Sequence, residues 1–231
     1  MKLFCLPYAG GSAQSIYSCW IDKLEPHVSL NVIELKGRGG RYSEGSYKDI
    51  NEAVDDIINH MVKSNINEDY CIFGHSMGAL LAYEVYKKID QLNLNKPKHL
   101  FLSGHAAPHI KNKYEINYTL DDETFIKEVN NLGGIPYELT KNRDALMFFV
   151  KIIKEDFRII NQYKHKKGNI IECEISVFFG SNELINLNDV FMWESYTKEK
   201  ISFYKIEGNH FFIHSQKDLI INLIKETIKK I

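Results

Sequence analysis

Apolar residues recur along the chain in short runs that end where small or polar residues begin, and most runs lead into a stretch with helical spacing. The runs predict strands at Lys2–Leu6, Leu30–Leu35, Tyr70–Phe73, His99–Ser103, Glu174–Phe179 and Ile201–Ile206. Val54, Ile57, Ile58 and Met61 recur at i, i+3, i+4 and i+7 and predict a helix over Ile50–Val62. Further helices are expected over Met77–Ile89 and about Gln216–Lys230. Strands alternating with helices in this way build an α/β layer structure around a mostly parallel sheet.

Between Pro108 and Gly168 the strand rhythm stops, and helical patterns replace it. Phe125 and Val129 mark one candidate helix; Leu146, Phe149, Val150, Ile153, Phe157 and Ile160 mark a longer one. Helices inserted between two strands of one sheet usually pack over an end of that sheet. No linker composition flanks the insertion, so the expectation is a single domain over residues 1–231 carrying a helical lid at about 109–168.

Composition narrows the function more than the fold. A chain of 231 residues that is 44% hydrophobic and 26% charged supports one sizeable core and excludes disorder, collagen and coiled coil. Lysine plus arginine number 29 against 30 acidic residues, which leaves no basic field for nucleic-acid phosphates or anionic lipid. Cys5, Cys19, Cys71 and Cys173 form no C-x-x-C pair and read as reduced core thiols. No run reaches the ~18 apolar residues of a membrane span, and the apolar N-terminal run is too short for a secretory signal. A cytoplasmic protein is expected.

The chemistry centres on Gly74-His75-Ser76-Met77-Gly78, between the strand Tyr70–Phe73 and the helical run that starts at Ala79. A G-x-S-x-G between strand and helix is the nucleophile elbow of the α/β hydrolases, in which glycines let a tight turn expose the serine hydroxyl. The alternative is a glycine-rich turn with an ordinary serine helix cap. A serine nucleophile needs a base, and the base an orienting acid, in the chain order Ser, Asp/Glu, His. His210 follows the strand Ile201–Ile206 and precedes the last helix, at the same sheet edge as Ser76; His105, His109 and His214 compete with it. Glu183 and Asp189 both follow the strand Glu174–Phe179 as candidate acids, Glu183 being closer to the strand end. An oxyanion hole needs two backbone N–H donors. Met77 should supply one and the loop Pro7-Tyr8-Ala9-Gly10-Gly11-Ser12 the other. Read as a phosphate cradle, that loop lacks the G-x-G-x-x-G spacing and a Walker lysine.

With these residues in place the chain resembles the external type II thioesterases of nonribosomal-peptide and polyketide assembly lines, over nearly its whole length. The resemblance rests on Leu3–Ser12, Leu35-Lys36-Gly37-Arg38-Gly39, Phe73–Leu80, Leu102-Ser103-Gly104 with Ala107-Pro108, Gly133–Pro136 and Gly208-Asn209-His210-Phe211-Phe212. It implies an α/β-hydrolase fold, Ser76 as nucleophile, His210 as base, and oxyanion N–H groups on Tyr8 or Ala9 and on Met77. The family's G-x-x-D falls on Gly180-Ser181-Asn182-Glu183, a departure that leaves the acid open between Glu183 and Asp189. Lys36 stands where the family usually has proline, and Arg38 and Arg41, two of four arginines, read as solvated loop charges. The implied substrate is an acyl or aminoacyl thioester on the phosphopantetheine arm of a carrier protein, removed to clear misprimed lines. No cofactor or metal, no nucleic acid or membrane partner, and a monomer are expected. The competing readings are a carboxylesterase or lipase acting on soluble esters or acyl-CoA, and a silent carrier-binding module.

Overall fold

The computed structural model describes residues 1–110, 116–135 and 137–231. Lys111–Glu115 within the expected lid, and Pro136 at the end of the Gly133–Pro136 match, lie outside the described residues.

Among the described residues six parallel strands form one sheet in the order β2-β1-β3-β4-β5-β6: β1 Lys2–Leu6, β2 Ser29–Val32, β3 Tyr70–His75, β4 His99–Ser103, β5 Glu174–Gly180 and β6 Ile201–Ile206. The helices are α1 Ala13–Tyr17, α2 Ile21–Leu24, α3 Ile50–Lys63, α4 Met77–Gln91, α5 Asp122–Asn131, α6 Tyr137–Thr140, α7 Arg143–Asn161, α8 Leu187–Phe191, α9 Phe212–Ser215 and α10 Lys217–Ile228. Period-two alternation sorts the strand side chains onto two faces. Phe4, Leu6, Ile72, Leu100 and Val177 pack with α3 and α4, whereas Leu3, Cys5, Phe73, Phe101 and Phe178 pack with α1, α2 and α10. Helices therefore cover both faces. No described helix is long and apolar enough to cross a membrane.

The strand order reverses between β1 and β3, so the loops leaving their carboxyl ends part to opposite sides and open a crevice there. The two loops are the expected oxyanion loop and the elbow. Residues of the insertion stand over this crevice: α5 and α7 share a cluster of Phe125, Val129, Val150 and Ile153, and Ile153 touches Gly10. Local sequence explains where these helices start. Asp49, Asp121 and Asn142 each cap a helix by accepting an N–H three residues on, at α3, α5 and α7.

Three expectations need correction. The second strand ends at Val32 instead of Leu35, because β1, its neighbour among the described strands, ends at Leu6 and the chain there turns away from the sheet. Ile33 and Leu35 are buried all the same, and this is why their run read as strand. The last helix is split, with α9 and α10 joined at a kinked Gln216. Of the cysteines, Cys5, Cys71 and Cys173 are buried, but Cys19 lies on the solvent side of the first helical turns, so only three are core thiols. Burial pushes the Cys5 thiol well up, and Cys71 and Cys173 up to about 12. Ellman's reagent is expected to titrate one thiol per chain in the folded protein, lost in Cys19→Ser, and all four cysteines after unfolding.

Candidate active site

Ser76 sits alone between the end of β3 and the first residue of α4, at φ 55° and ψ −118°. L-residues rarely occupy such a conformation, and it persists only where the surroundings over-determine it. The surroundings here are backbone. A Cβ on Gly74 would overlap the Gly78 carbonyl, and one on Gly78 would overlap the Leu6 carbonyl, so both glycines are needed for β1, β3 and α4 to close up. The Ser76 N–H donates to the Ser103 carbonyl of β4 at 2.7 Å. Although Ser76 occupies the cap position of α4, its side chain makes no capping bond. The hydroxyl is turned elsewhere.

It faces His210, whose Nε2 lies 3.0 Å from Ser76 Oγ and whose Nδ1 lies 2.6 Å from Glu183 Oε1. A carboxylate only accepts, which places the imidazole proton on Nδ1 and leaves Nε2 to accept from the serine O–H. The Gly180 N–H donates to the other Glu183 oxygen at 2.7 Å, and the Glu183 side chain is 1% exposed. The glutamate folds back over Gly180, taking up its extra methylene beside the strand end. Asp189 lies in the first turn of α8, where its carbonyl accepts from the Ala107 N–H. The geometry thus brings Glu183, and not Asp189, to His210. The competing histidines have other partners: His105 Nδ1 is 2.6 Å from the Ala106 carbonyl, His109 bonds Tyr196, and His214 bonds Tyr8. Burial lowers the pKa of His105 and His214.

The expected oxyanion loop is a four-residue turn. The Gly11 N–H donates to the Tyr8 carbonyl at 3.0 Å, and Gly10 at the third position has φ 76°, the type II pattern that calls for glycine. Tyr8, Ala9, Ser76, Met77 and His210 line one cavity, and among the described residues the N–H groups of Tyr8, Ala9 and Met77 have no protein acceptor. Met77 is unsatisfied because it opens α4. Leu80, Val129, Leu132, Ile153, Phe157 and Ile160 make the cavity's apolar wall.

The reading of Arg38 and Arg41 as solvated loop charges is overturned. Arg38 is 4% exposed and donates through both terminal nitrogens to the carboxylate of Asp156, each at 2.6 Å. Burial opposes the guanidinium charge, yet Asp156 beside it holds the Arg38 pKa above its usual value. Arg41 pairs with Asp56 and Glu44 and donates to the Glu34 carbonyl. Both arginines find partners because the loop folds down between α3 and the Tyr8–Gly11 turn. Asp156 went unnoticed in the sequence although a signal existed. It sits three residues after Ile153 and four before Ile160, on the apolar face of α7, where a carboxylate requires a cation. His214, a competing base in the sequence, serves a different contact: its Nε2 is 2.9 Å from the Tyr8 hydroxyl, joining the turn after β1 to α9, which follows His210.

A family model described as a thioesterase domain matches residues 1–228. The gramicidin S biosynthesis protein GrsT of Aneurinibacillus migulanus is 30% identical, over 99% of this chain and 89% of that protein. Among solved structures, ClbQ from the colibactin NRPS/PKS pathway is similar at TM-score 0.94 and 31% identity, covering 99% of this chain and 97% of its own. RedJ, a thioesterase from the prodiginine pathway of Streptomyces coelicolor, is similar at TM-score 0.92 and 28% identity, covering 98% and 89%.

Reactivity of Ser76 towards a fluorophosphonate reads the relay without assuming a substrate. Glu183→Gln is expected to slow labelling by on the order of 10³–10⁴-fold, because an amide no longer selects the Nδ1–H tautomer. Asp189→Ala should label within about twofold of the unaltered protein, since that residue touches none of the reacting groups. Equal slowing in both variants would contradict this geometry.

Proposed function

The chain belongs to the thioesterase family of thioester hydrolases, and from that premise we propose that Ser76, His210 and Glu183 are its nucleophile, base and orienting acid. We further infer that it hydrolyses acyl and aminoacyl thioesters from the phosphopantetheine arm of carrier domains, clearing misprimed nonribosomal-peptide and polyketide assembly lines. The observation that carries the reading is the continuous relay from Ser76 Oγ through His210 to Glu183, opening beside N–H groups that have no acceptor among the described residues. The kinship with GrsT and ClbQ supports the assembly-line setting.

The chemistry follows from the distances. Ser76 Oγ adds to the thioester carbonyl as its proton passes to His210 Nε2, and Glu183 stabilises the imidazolium through Nδ1–H. The tetrahedral oxyanion takes hydrogen bonds from Met77 and from Tyr8 or Ala9, each donor contributing ~3 kcal/mol. The C–S bond breaks, and the arm leaves as a thiol with the His210 proton. A water then gives its proton to His210 Nε2 and adds to the acyl-serine carbonyl; collapse returns the proton to Ser76 and frees the carboxylic acid. Every step is acid–base or nucleophilic work by these side chains, so we infer that no cofactor is needed.

The insertion acts in this reading as a lid on a single catalytic domain. Its apolar wall holds the acyl group, and the cavity measures about 50 Å³, a few water-sized volumes. Short acyl groups fit as the walls stand, and longer ones require the lid to shift. All the reacting groups come from one chain, which supports a monomer as the working unit. Carrier-bound substrates and three buried thiols support a cytoplasmic setting.

Intact-mass measurement of carrier domains loaded with acetyl, aminoacyl and longer groups is the test. Loss of acetyl and aminoacyl mass with the unaltered enzyme, and none above background with Ser76→Ala, is the expected result. Brisk hydrolysis of soluble esters with no release from any carrier would replace the proposal with a carboxylesterase.

A further inference from the structure

The oxyanion turn is fixed to a helix of the insertion. The Gly10 N–H donates to Asp156 Oδ2 at 2.6 Å, and the same oxygen accepts from Arg38 Nη1 at 2.6 Å. Arg38 Nη1 also reaches the Gly11 carbonyl at 3.4 Å. The Gly10 N–H belongs to the peptide plane that follows Ala9, so anchoring it sets the Ala9 ψ and with it the direction of the neighbouring N–H groups. Ile153, one turn before Asp156 on α7, fills the space that a Cβ on Gly10 would occupy. Shape and hydrogen bond arrive from one helix face.

We propose that Asp156, charge-balanced by Arg38, is a positioning residue that holds the Tyr8–Gly11 turn in its oxyanion-binding geometry, so that seating of α7 and assembly of the oxyanion hole are one event. This rests on the thioesterase reading of the same site. Arg38 has a second task there. An unpaired carboxylate next to the turn would repel the developing oxyanion, and the bidentate guanidinium cancels that charge within hydrogen-bond distance. Helix α7 belongs to the catalytic frame, and α5 joins it through Phe125 and Val129 packed on Val150 and Ile153 and through Lys154 on Asp122.

A merely structural ion pair and a positioning pair differ in what their loss changes. Asp156→Asn removes the charge with little change of shape, and the double variant Arg38→Met/Asp156→Leu removes the anchor while refilling the volume with apolar groups, a replacement that often keeps or raises stability. Each is compared with the unaltered enzyme in three measurements: kcat and KM on a short-chain N-acetylcysteamine thioester, the inhibition constant of a short alkyl boronic acid, and the thermal midpoint. The boronate mimics the tetrahedral state and needs no turnover. In folded double variant, kcat should fall on the order of 100-fold, the cost of about 1 Å of misplacement, with KM changed less than about threefold and boronate affinity lost by a similar factor as kcat. A folded double variant whose kcat and boronate affinity stay within about threefold of the unaltered enzyme would overturn the proposal. So would a kcat loss with boronate affinity intact. If the unaltered enzyme bound boronate but cleaved no thioester, the thioesterase reading would fail, while the boronate comparison would still decide the role of Asp156.

Discussion

Everything at the site depends on holding Ser76 at a backbone conformation that costs on the order of 1–3 kcal/mol to maintain. The cost is met by close packing of three backbone segments: Gly74 against Gly78, Gly78 against Leu6, and the Ser76 N–H on the Ser103 carbonyl. None of these contacts tolerates a side chain at the glycines. The strain in turn frees the hydroxyl, because a serine at an ordinary helix cap would spend it on the helix N-terminus. The elbow also starts α4 beside the serine, so Met77 offers an N–H without an intrahelical acceptor.

The rest of the site reaches that point from three other strand ends. β6 delivers His210, β5 delivers Glu183 through the turn at Gly180, and β1 delivers the Tyr8–Gly11 turn. Parallel strands make this convergence possible, since every carboxyl end lies on one edge of the sheet and the order reverses between β1 and β3. A glutamate in place of an aspartate is accommodated by folding back onto its own turn, with one oxygen on the Gly180 N–H and the other on His210. The extra methylene is absorbed locally, without moving the sheet.

Long-range polar contacts tie these loops into one object. Asp156 joins α7 to the Tyr8–Gly11 turn, Arg38 joins the loop after β2 to both, and the Tyr8–His214 bond joins the turn to α9 beyond His210. Buried charges of this kind cost several kcal/mol each to desolvate, so they persist where both partners are placed well. Here the pair also serves a backbone N–H, which ties its geometry to that of the turn. Apolar packing alone, through Ile153 on Gly10, would restrict the turn but not fix the orientation of its peptide planes.

Much of this was legible in the chain itself. The apolar runs mark all six strands, although the run at β2 reads as longer than the strand because Ile33 and Leu35 are buried beyond the end of its ladder with β1. The elbow, the glycine-rich turn after β1 and His210 were legible for a physical reason: each is encoded by adjacent residues whose conformational demands are local, a glycine for a positive φ or an apolar run bounded by small residues. What the sequence could not decide depends on distances between residues far apart along it. The choice of Glu183 over Asp189, the burial of Arg38 against Asp156, the bond between Tyr8 and His214 and the exposure of Cys19 are such cases. A carboxylate six residues further along has the same local chemistry, and an arginine in a loop looks solvated until a partner 118 positions away is folded onto it. Local preference determined the parts of this protein, and only the packing of distant loops at one sheet edge decided which charges meet.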